Sequence, residues 1–482
     1  MPFSLPIKAK RLSPKKMALA FALAGLVAMP ALQTPAMAQV SALAAKAKQG
    51  INVTNFKLDN GMEVVIIPDR RAPVVTHMVW YKAGSADEPP GKSGIAHYLE
   101  HLMFKGTKTV KGGEFSAKVS ENGGQENAFT SYDYTGYFQR VTPSLLGEMM
   151  RLEADRMENL VLTDEVIDPE RSVVLEERNS RIENRPEGLF NEAMSAAMYR
   201  NHRYGVPIIG WRHEIEKLDK DAAIDFYDRF YTPNNAILVV AGDVDPEEVR
   251  KLALETYGKV ARRAEPGNRV RLSEPPFRAP HRISMTHERV TTPSWQRRYL
   301  VPSYYSAEGG EVGEELDLLS EIIGGGATSR IQRKIVIEDK IASSAGAWYQ
   351  GSSKDDTTFG FYGTPRPGVT VEQLEAAIDA VIADVRENGV TQEELDRAKK
   401  RLLRSTIMAR DSQSTLARIY GASLAIGATV EEIEKWPDDM MATKLEDVNA
   451  AAKKYLDINA SVTGTLSPAA RKAATTEQPK EG

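Results

Sequence analysis

Two histidines four residues apart, with a glutamate directly before the second, constrain this chain more than any other feature: His97-Tyr98-Leu99-Glu100-His101. On a helix that spacing sets the imidazoles one turn apart on one face, where two ring nitrogens can converge on a single metal ion. The flanking residues predict such a helix from Ser93 to Phe104. Gly94 lies near its start, Ile95, Leu99 and Leu102 recur at helical spacing, and Lys105-Gly106 offers a stop. A buried histidine pair needs partners, and a metal is the simplest one. Glu100 stands beside the pair, placed to take a proton from a water that the metal activates.

A catalytic zinc takes three protein ligands and keeps one position open, so a further ligand is required. The chain has no cysteine, which excludes disulfides and thiolate ligands and leaves His, Asp or Glu. A helical pattern over Pro169 to Asn184 carries Glu170 and Glu177 seven positions apart, on one face and two turns from each other. Val173 and Val174 are expected to face the interior, and either glutamate is within reach of the metal.

With 482 residues, 42% apolar and 27% charged, the chain can bury at least two cores of roughly 100–200 residues each. A net charge of −4 from 62 basic and 66 acidic residues, well mixed along the chain, argues against nucleic acid as a partner. Residues 1–38 read as an export signal. Lys8, Lys10, Arg11, Lys15 and Lys16 form a basic region, Met17 to Met29 an apolar one, and Ala36-Met37-Ala38 a cleavage site. The apolar stretch is shorter than the roughly 20 residues of a membrane span, so no stable membrane insertion is expected. An export signal without a disulfide framework points to a bacterial periplasm.

Further along, a hairpin is expected around Asp59-Asn60-Gly61, strands at Pro73–Tyr81, Phe129–Val141 and Ala236–Ala241, and a helix at Pro143–Asn159. Residues 261–282, with Arg262, Arg263, Pro266, Gly267, Pro275, Pro276 and Pro280, read as an interdomain linker. Beyond it the pattern recurs: a helix at Gly313–Ile323, a strand at Thr358–Thr364, a helix at Val371–Arg386. The stretch from Arg386 to Glu394 echoes Arg156 to Glu165, and Tyr455–Leu466 echoes Tyr231–Val244. The expected fold is α+β, built from two homologous α/β domains, 39–260 and 283–470, with a flexible tail at 471–482.

These residues resemble the inverted zinc peptidases of the pitrilysin and insulin-degrading class, closest to the processing-peptidase branch and its bacterial relatives. The resemblance spans nearly all of the mature chain. It is carried by Ser93 to Thr107, by Asn127-Ala128-Phe129-Thr130, by Glu170-Arg171 running to Glu176-Glu177, and by Tyr231-Thr232-Pro233-Asn234-Asn235. It implies His97, His101 and Glu177 as ligands of one zinc per chain, Glu100 as general base and Glu170 as a supporting carboxylate. It also implies that Asn127 to Thr130 form an edge strand receiving peptide substrate by β-augmentation, and that the two domains form half of a clamshell.

The second copy has no such site, since Leu316, Leu319 and Ser320 stand where His97, Glu100 and His101 stand in the first. Active members of the class also carry, in the second domain, an Arg and a Tyr seven residues later that assist catalysis. Here Val336 and Ser343 fall at those positions, or Ile337 and Ser344 with a one-residue slip, while Arg333 and Tyr349 have the wrong spacing to substitute. The expected function is therefore a zinc endopeptidase subunit acting on peptides or unfolded polypeptides, completed as a heterodimer by a homologous chain carrying Arg and Tyr. A self-sufficient homodimeric peptidase is the first alternative, and a non-catalytic binding or scaffold subunit the second.

Overall fold

The structure, a computed structural model, describes residues 52–269, 271–307 and 312–469. The expected export signal at 1–38 and tail at 471–482 lie outside the described residues. Gly61, at φ +90°, closes the expected hairpin and pairs β1 (Thr54–Lys57) antiparallel with β2 (Glu63–Pro68). The first half continues with β3 (Val75–Tyr81), α1 (Ile95–Leu102), β4 (Gln125–Thr130), β5 (Thr135–Val141), α2 (Leu146–Asn159), α3 (Asp164–Arg178), α4 (Pro186–Met198), α5 (Lys220–Phe230) and β6 (Ala236–Gly242). The second comprises β7 (His281–His287), β8 (Ser294–Val301), α6 (Gly313–Gly324), β9 (Ala342–Tyr349), β10 (Thr357–Pro365), α7 (Val371–Asn388), α8 (Gln413–Ile426), α9 (Leu445–Tyr455) and β11 (Ser461–Pro468). Among the described residues of 261–280 there is no helix or strand.

Two expectations need correction. The strand expected over Phe129–Val141 is two strands: the chain reverses at Ser131 to Tyr134, where the Ser131 N–H donates to the Tyr134 carbonyl at 2.8 Å. Val173 does not face the interior. The buried stripe of α3 runs through Ile167, Glu170, Val174 and Arg178, which leaves Val173 one step around the helix and 49% exposed.

The first sheet has the order β1-β2-β6-β3-β5-β4 and the second β7-β11-β8-β10-β9. Without β1 they correspond strand for strand. Each has one parallel pair at the same place, β2 with β6 and β7 with β11, and antiparallel neighbours elsewhere. Two copies of one mixed α/β unit account for both.

The halves exchange helices. β6 is apolar on both faces because both are covered: Leu238 and Val240 join the core around α1, while Ile237 and Val239 meet Leu416, Tyr420 and Leu424 of α8 from the second half. Gly421 makes that approach possible, since a Cβ there would lie 2.1 Å from the Trp80 indole. In return, Phe190, Met194 and Met198 of α4 pack on Val462 and Leu466 of the second sheet. Each such buried side chain is worth about 1.5–3 kcal/mol, so the exchange ties the halves into one body.

The motif helix α1 is fixed at its start by Gly94, which has φ +88° and would carry a Cβ 2.5 Å from the Ile209 carbonyl oxygen. Buried Glu88 caps it, accepting N–H groups of Gly94 and Ala96 at 3.0 Å. Ile95, Tyr98, Leu99 and Leu102 are buried, and the Tyr98 hydroxyl donates to the Ile167 carbonyl of α3. Gly94→Ala is expected to cost about 1–3 kcal/mol, from left-handed strain plus the clash with a main-chain carbonyl. A denaturant melt measures it, and an unchanged midpoint would refute the close approach.

Candidate metal centre

Helix α1 presents His97, Glu100 and His101 toward α3, and the two helices meet at Glu177. His97 Nε2 lies 3.5 Å and His101 Nε2 3.3 Å from Glu177 Oε2. Among the described residues these three form the one group of His, Asp or Glu able to hold a metal ion, their donor atoms all within 4.8 Å of one another. The imidazoles stand at 69° to each other, with ring centres 4.8 Å apart. Glu177 Oε2 is buried and makes no hydrogen bond although two imidazole nitrogens face it. Two ring nitrogens and a carboxylate oxygen converging on one such point are a donor set that fits zinc.

Neighbouring charges orient these ligands. His101 Nδ1 bonds to Glu170 Oε1 at 2.9 Å, and the other oxygen of Glu170 pairs with Lys105 at 2.5 Å. Glu177 Oε1 pairs with Arg181 at 2.7 Å. A carboxylate on the far nitrogen of a ligating imidazole fixes the ring and raises its basicity. Glu176, beside Glu177 in sequence, is exposed and accepts a bond from Asn179.

Burial, with His101 beside it, pushes His97 down to about 4. Burial also opposes charge on His101, but its bond to Glu170 and the facing Glu177 carboxylate prevail and push it up to about 9. His101 and then His97 and Arg181 hold Glu177 below the usual carboxylate range. Glu170 is likewise held low, burial notwithstanding, by His101 and Lys105. Burial raises Glu100 against the pull of Thr130, so this carboxylate is a better proton acceptor than an exposed one.

Thr130 ends β4, and its hydroxyl donates to Glu100 Oε2 at 2.5 Å. Among the described residues β4 pairs only with β5 and is the outer strand of its sheet, with its other main-chain edge unpaired. Alternation divides the four residues singled out on it. Ala128 packs toward the core around α1 and Thr130 reaches Glu100, on the metal side. Phe129 points to the opposite face, edge-on to Trp80 at 5.0 Å, and the Asn127 side chain bonds the N–H of Ala128. Phe129 can thus meet an added strand at this edge only through its main chain.

Lys105 and Arg181 were not singled out from the sequence. Each stands four residues after the ligand side it supports, His101 and Glu177, a spacing already visible there. In the second half, Leu316 and Leu319 are buried in the core and Ser320 bonds the Asp317 carbonyl. Ser343 is exposed and donates to the Thr364 carbonyl at 3.1 Å, while the Tyr349 hydroxyl is bound to the Pro302 carbonyl at 2.8 Å.

Comparison with known proteins follows the two halves. Residues 63–211 match the model of the insulinase family, peptidase family M16, and residues 217–402 that of the M16 inactive domain. A zinc protease of Helicobacter pylori named PqqE is 31% identical over 413 residues, covering 85% of this chain and 92% of its own. The crystal structure of a protease from Helicobacter pylori superposes with a TM-score of 0.80 at 29% identity, over 86% of this chain and all (100%) of that one. The periplasmic protease PqqL from Escherichia coli shares the fold, with a TM-score of 0.73 at 21% identity, over 86% of this chain but 47% of its own. By matched sequence over both halves and by shared fold, this chain belongs to the insulinase family of peptidases, family M16.

Proposed function

We propose that this chain is the zinc-binding subunit of a periplasmic endopeptidase that cuts peptides or unfolded polypeptides. The carrying observation is the convergence of His97, His101 and Glu177 donor atoms within 4.8 Å, with Glu100 on the helix of the two histidines. In this reading those three residues hold one zinc ion, Glu170 and Arg181 orient the ligands, and Lys105 steadies Glu170. When bound, zinc polarises the scissile carbonyl and makes water acidic enough to attack near neutral pH.

The chain's own residues supply the rest. Glu100 accepts the proton of the attacking water and returns it to the departing amine. Thr130 holds one Glu100 oxygen, leaving the other for that transfer. Substrate adds as a strand along the free edge of β4, so main-chain bonds bring the scissile peptide past Glu100 with little demand on its sequence.

A homologous partner is supported by two observations. Val336 and Ser343, or Ile337 and Ser344 with a one-residue slip, fall where the family resemblance places Arg and Tyr. The PqqL chain, of which this one matches 47%, has room for a second unit of the same length. The periplasmic location rests on the leader at 1–38. No helix among the described residues is long and apolar enough to cross a membrane.

The test is zinc dependence. Peptide hydrolysis by the assembled protein is expected to stop on chelation and to return with one equivalent of zinc per chain. Glu170→Ala, which frees the far nitrogen of His101, is expected to weaken zinc by about 10–100-fold in chelator competition. Hydrolysis that survives complete removal of metal would overturn the reading.

A further inference from the structure

The segment joining the halves buries an arginine whose contacts lead to both sides of Glu100. The side chain of Arg271 is 5% exposed. Its Nη2 donates to both Asp87 carboxylate oxygens at 3.0 Å, while Nη1 bonds Asp133 and, at 2.9 Å, Asp355 of the second half. Asp133 is held further by the Tyr204 hydroxyl at 2.7 Å and the Lys354 N–H at 3.1 Å, and its carbonyl by Arg269.

Each first-half aspartate is one step from the centre. Asp87 precedes Glu88, the carboxylate that caps α1, the helix carrying Glu100. Asp133 lies in the turn that ends β4, three residues beyond Thr130, whose hydroxyl bonds Glu100. That turn is also sewn to the same segment as Asp87, since Ser85 and Ala86 donate to the carbonyls of Ser131 and Tyr132 at 3.0 and 2.9 Å. One guanidinium therefore braces the helix that carries Glu100 and the strand that restrains it.

We propose that Arg271 is a positioning residue for Glu100, fixing the gap between α1 and the end of β4; this rests on Glu100 acting as the base. The planar fork is essential, because Nη2 engages Asp87 while Nη1 engages Asp133 and Asp355, whereas a lysine ammonium has one nitrogen to serve all three. Removing the charge leaves, among the described residues, buried Asp133 with hydrogen bonds but no ion pair and Asp87 paired with Arg269 alone at 3.5 Å, and that cost falls on the segments bearing them. The competing role is a plain latch between halves, which would work through Asp355.

The experiment compares Arg271→Lys, Arg271→Met and Asp355→Asn in the full chain by amide hydrogen exchange, together with peptide kinetics in the active assembly. In Arg271→Met, exchange over 85–104 and 125–134 is expected to accelerate about tenfold while α7 and β10 stay unchanged, and kcat to fall about tenfold with KM within about twofold. Arg271→Lys should lie between, and it carries the test alone if Arg271→Met does not fold. Asp355→Asn should leave exchange in both segments and kcat unchanged. Acceleration spread over both halves, equal effects from Asp355→Asn, or wild-type kcat in Arg271→Lys would overturn the proposal. Failure of Glu100 as the base would show separately, as undiminished hydrolysis in Glu100→Gln.

Discussion

Glu100→Gln is expected to lower kcat for peptide hydrolysis by about 10²–10⁴-fold while leaving zinc binding intact. The substitution keeps the shape of the side chain and an oxygen able to accept the Thr130 hydroxyl, so the restraint from β4 survives. The atoms of His97, His101 and Glu177 that converge on the metal are untouched. What is lost is the capacity to accept a proton, which burial enhances in the native carboxylate. A group needed only in the transition state lowers kcat and kcat/KM together and spares KM. Steady-state kinetics and zinc titration of the same preparation check both halves of this expectation. Wild-type turnover with bound zinc would remove Glu100 from the mechanism and revive a scaffold role.

The parts of the site legible in sequence are those set by local geometry. The relation of His97, Glu100 and His101 depends on one helical turn, and the turn is announced by Ile95, Leu99 and Leu102 around it. Choosing Glu177 over Glu176 is different, because it depends on the rotation of α3 about its axis. That rotation is fixed by a buried stripe in which two of four members are charged, Glu170 and Arg178. An apolar pattern cannot reveal such a stripe, and the misplacing of Val173 has the same origin. Glu170 and Arg178 are tolerated inside because each is paired, with Lys105 and His101 in one case and Glu183 and Glu192 in the other.

The break between β4 and β5 was hidden for a second reason. No glycine or proline marks Ser131 to Tyr134, and Thr, Tyr and Phe continue across it. Ser131 Oγ accepts the N–H groups of Asp133 and Tyr134 within the turn, and Arg271 and Tyr204, residues remote in the chain, hold Asp133 from outside. The exchange of α4 and α8 between halves is equally non-local. Each helix buries residues at helical spacing, but nothing along the chain says whose sheet it covers. The duplication was visible because it repeats local patterns; the interlocking of the copies was not.

Purified alone, the chain is expected to bind zinc yet cleave peptides about 10²–10³-fold more slowly than when paired with a homologue carrying Arg and Tyr at the Val336 and Ser343 positions. The scale is that of losing one donor to the developing oxyanion. Of the residues nearest those positions, Val336, Ser343 and Tyr349 have no free side-chain donor to replace it. Val336 is apolar and packs on the second core, and the Ser343 hydroxyl is spent on the Thr364 carbonyl. Tyr349 has its hydroxyl on Pro302, and exposed Arg333 stands 3.8 Å from Glu338. Zinc and base on one chain with the anion-stabilising pair on another would make cleavage follow the concentration of the complex rather than of either subunit. Titrating the isolated zinc-loaded chain with such a homologue should therefore give activity that saturates at equimolar ratio, and Glu100→Gln in this chain should abolish it. Full, concentration-independent activity of the isolated chain would show that it completes its own site, and activity rising with the square of its concentration would mark a homodimer instead.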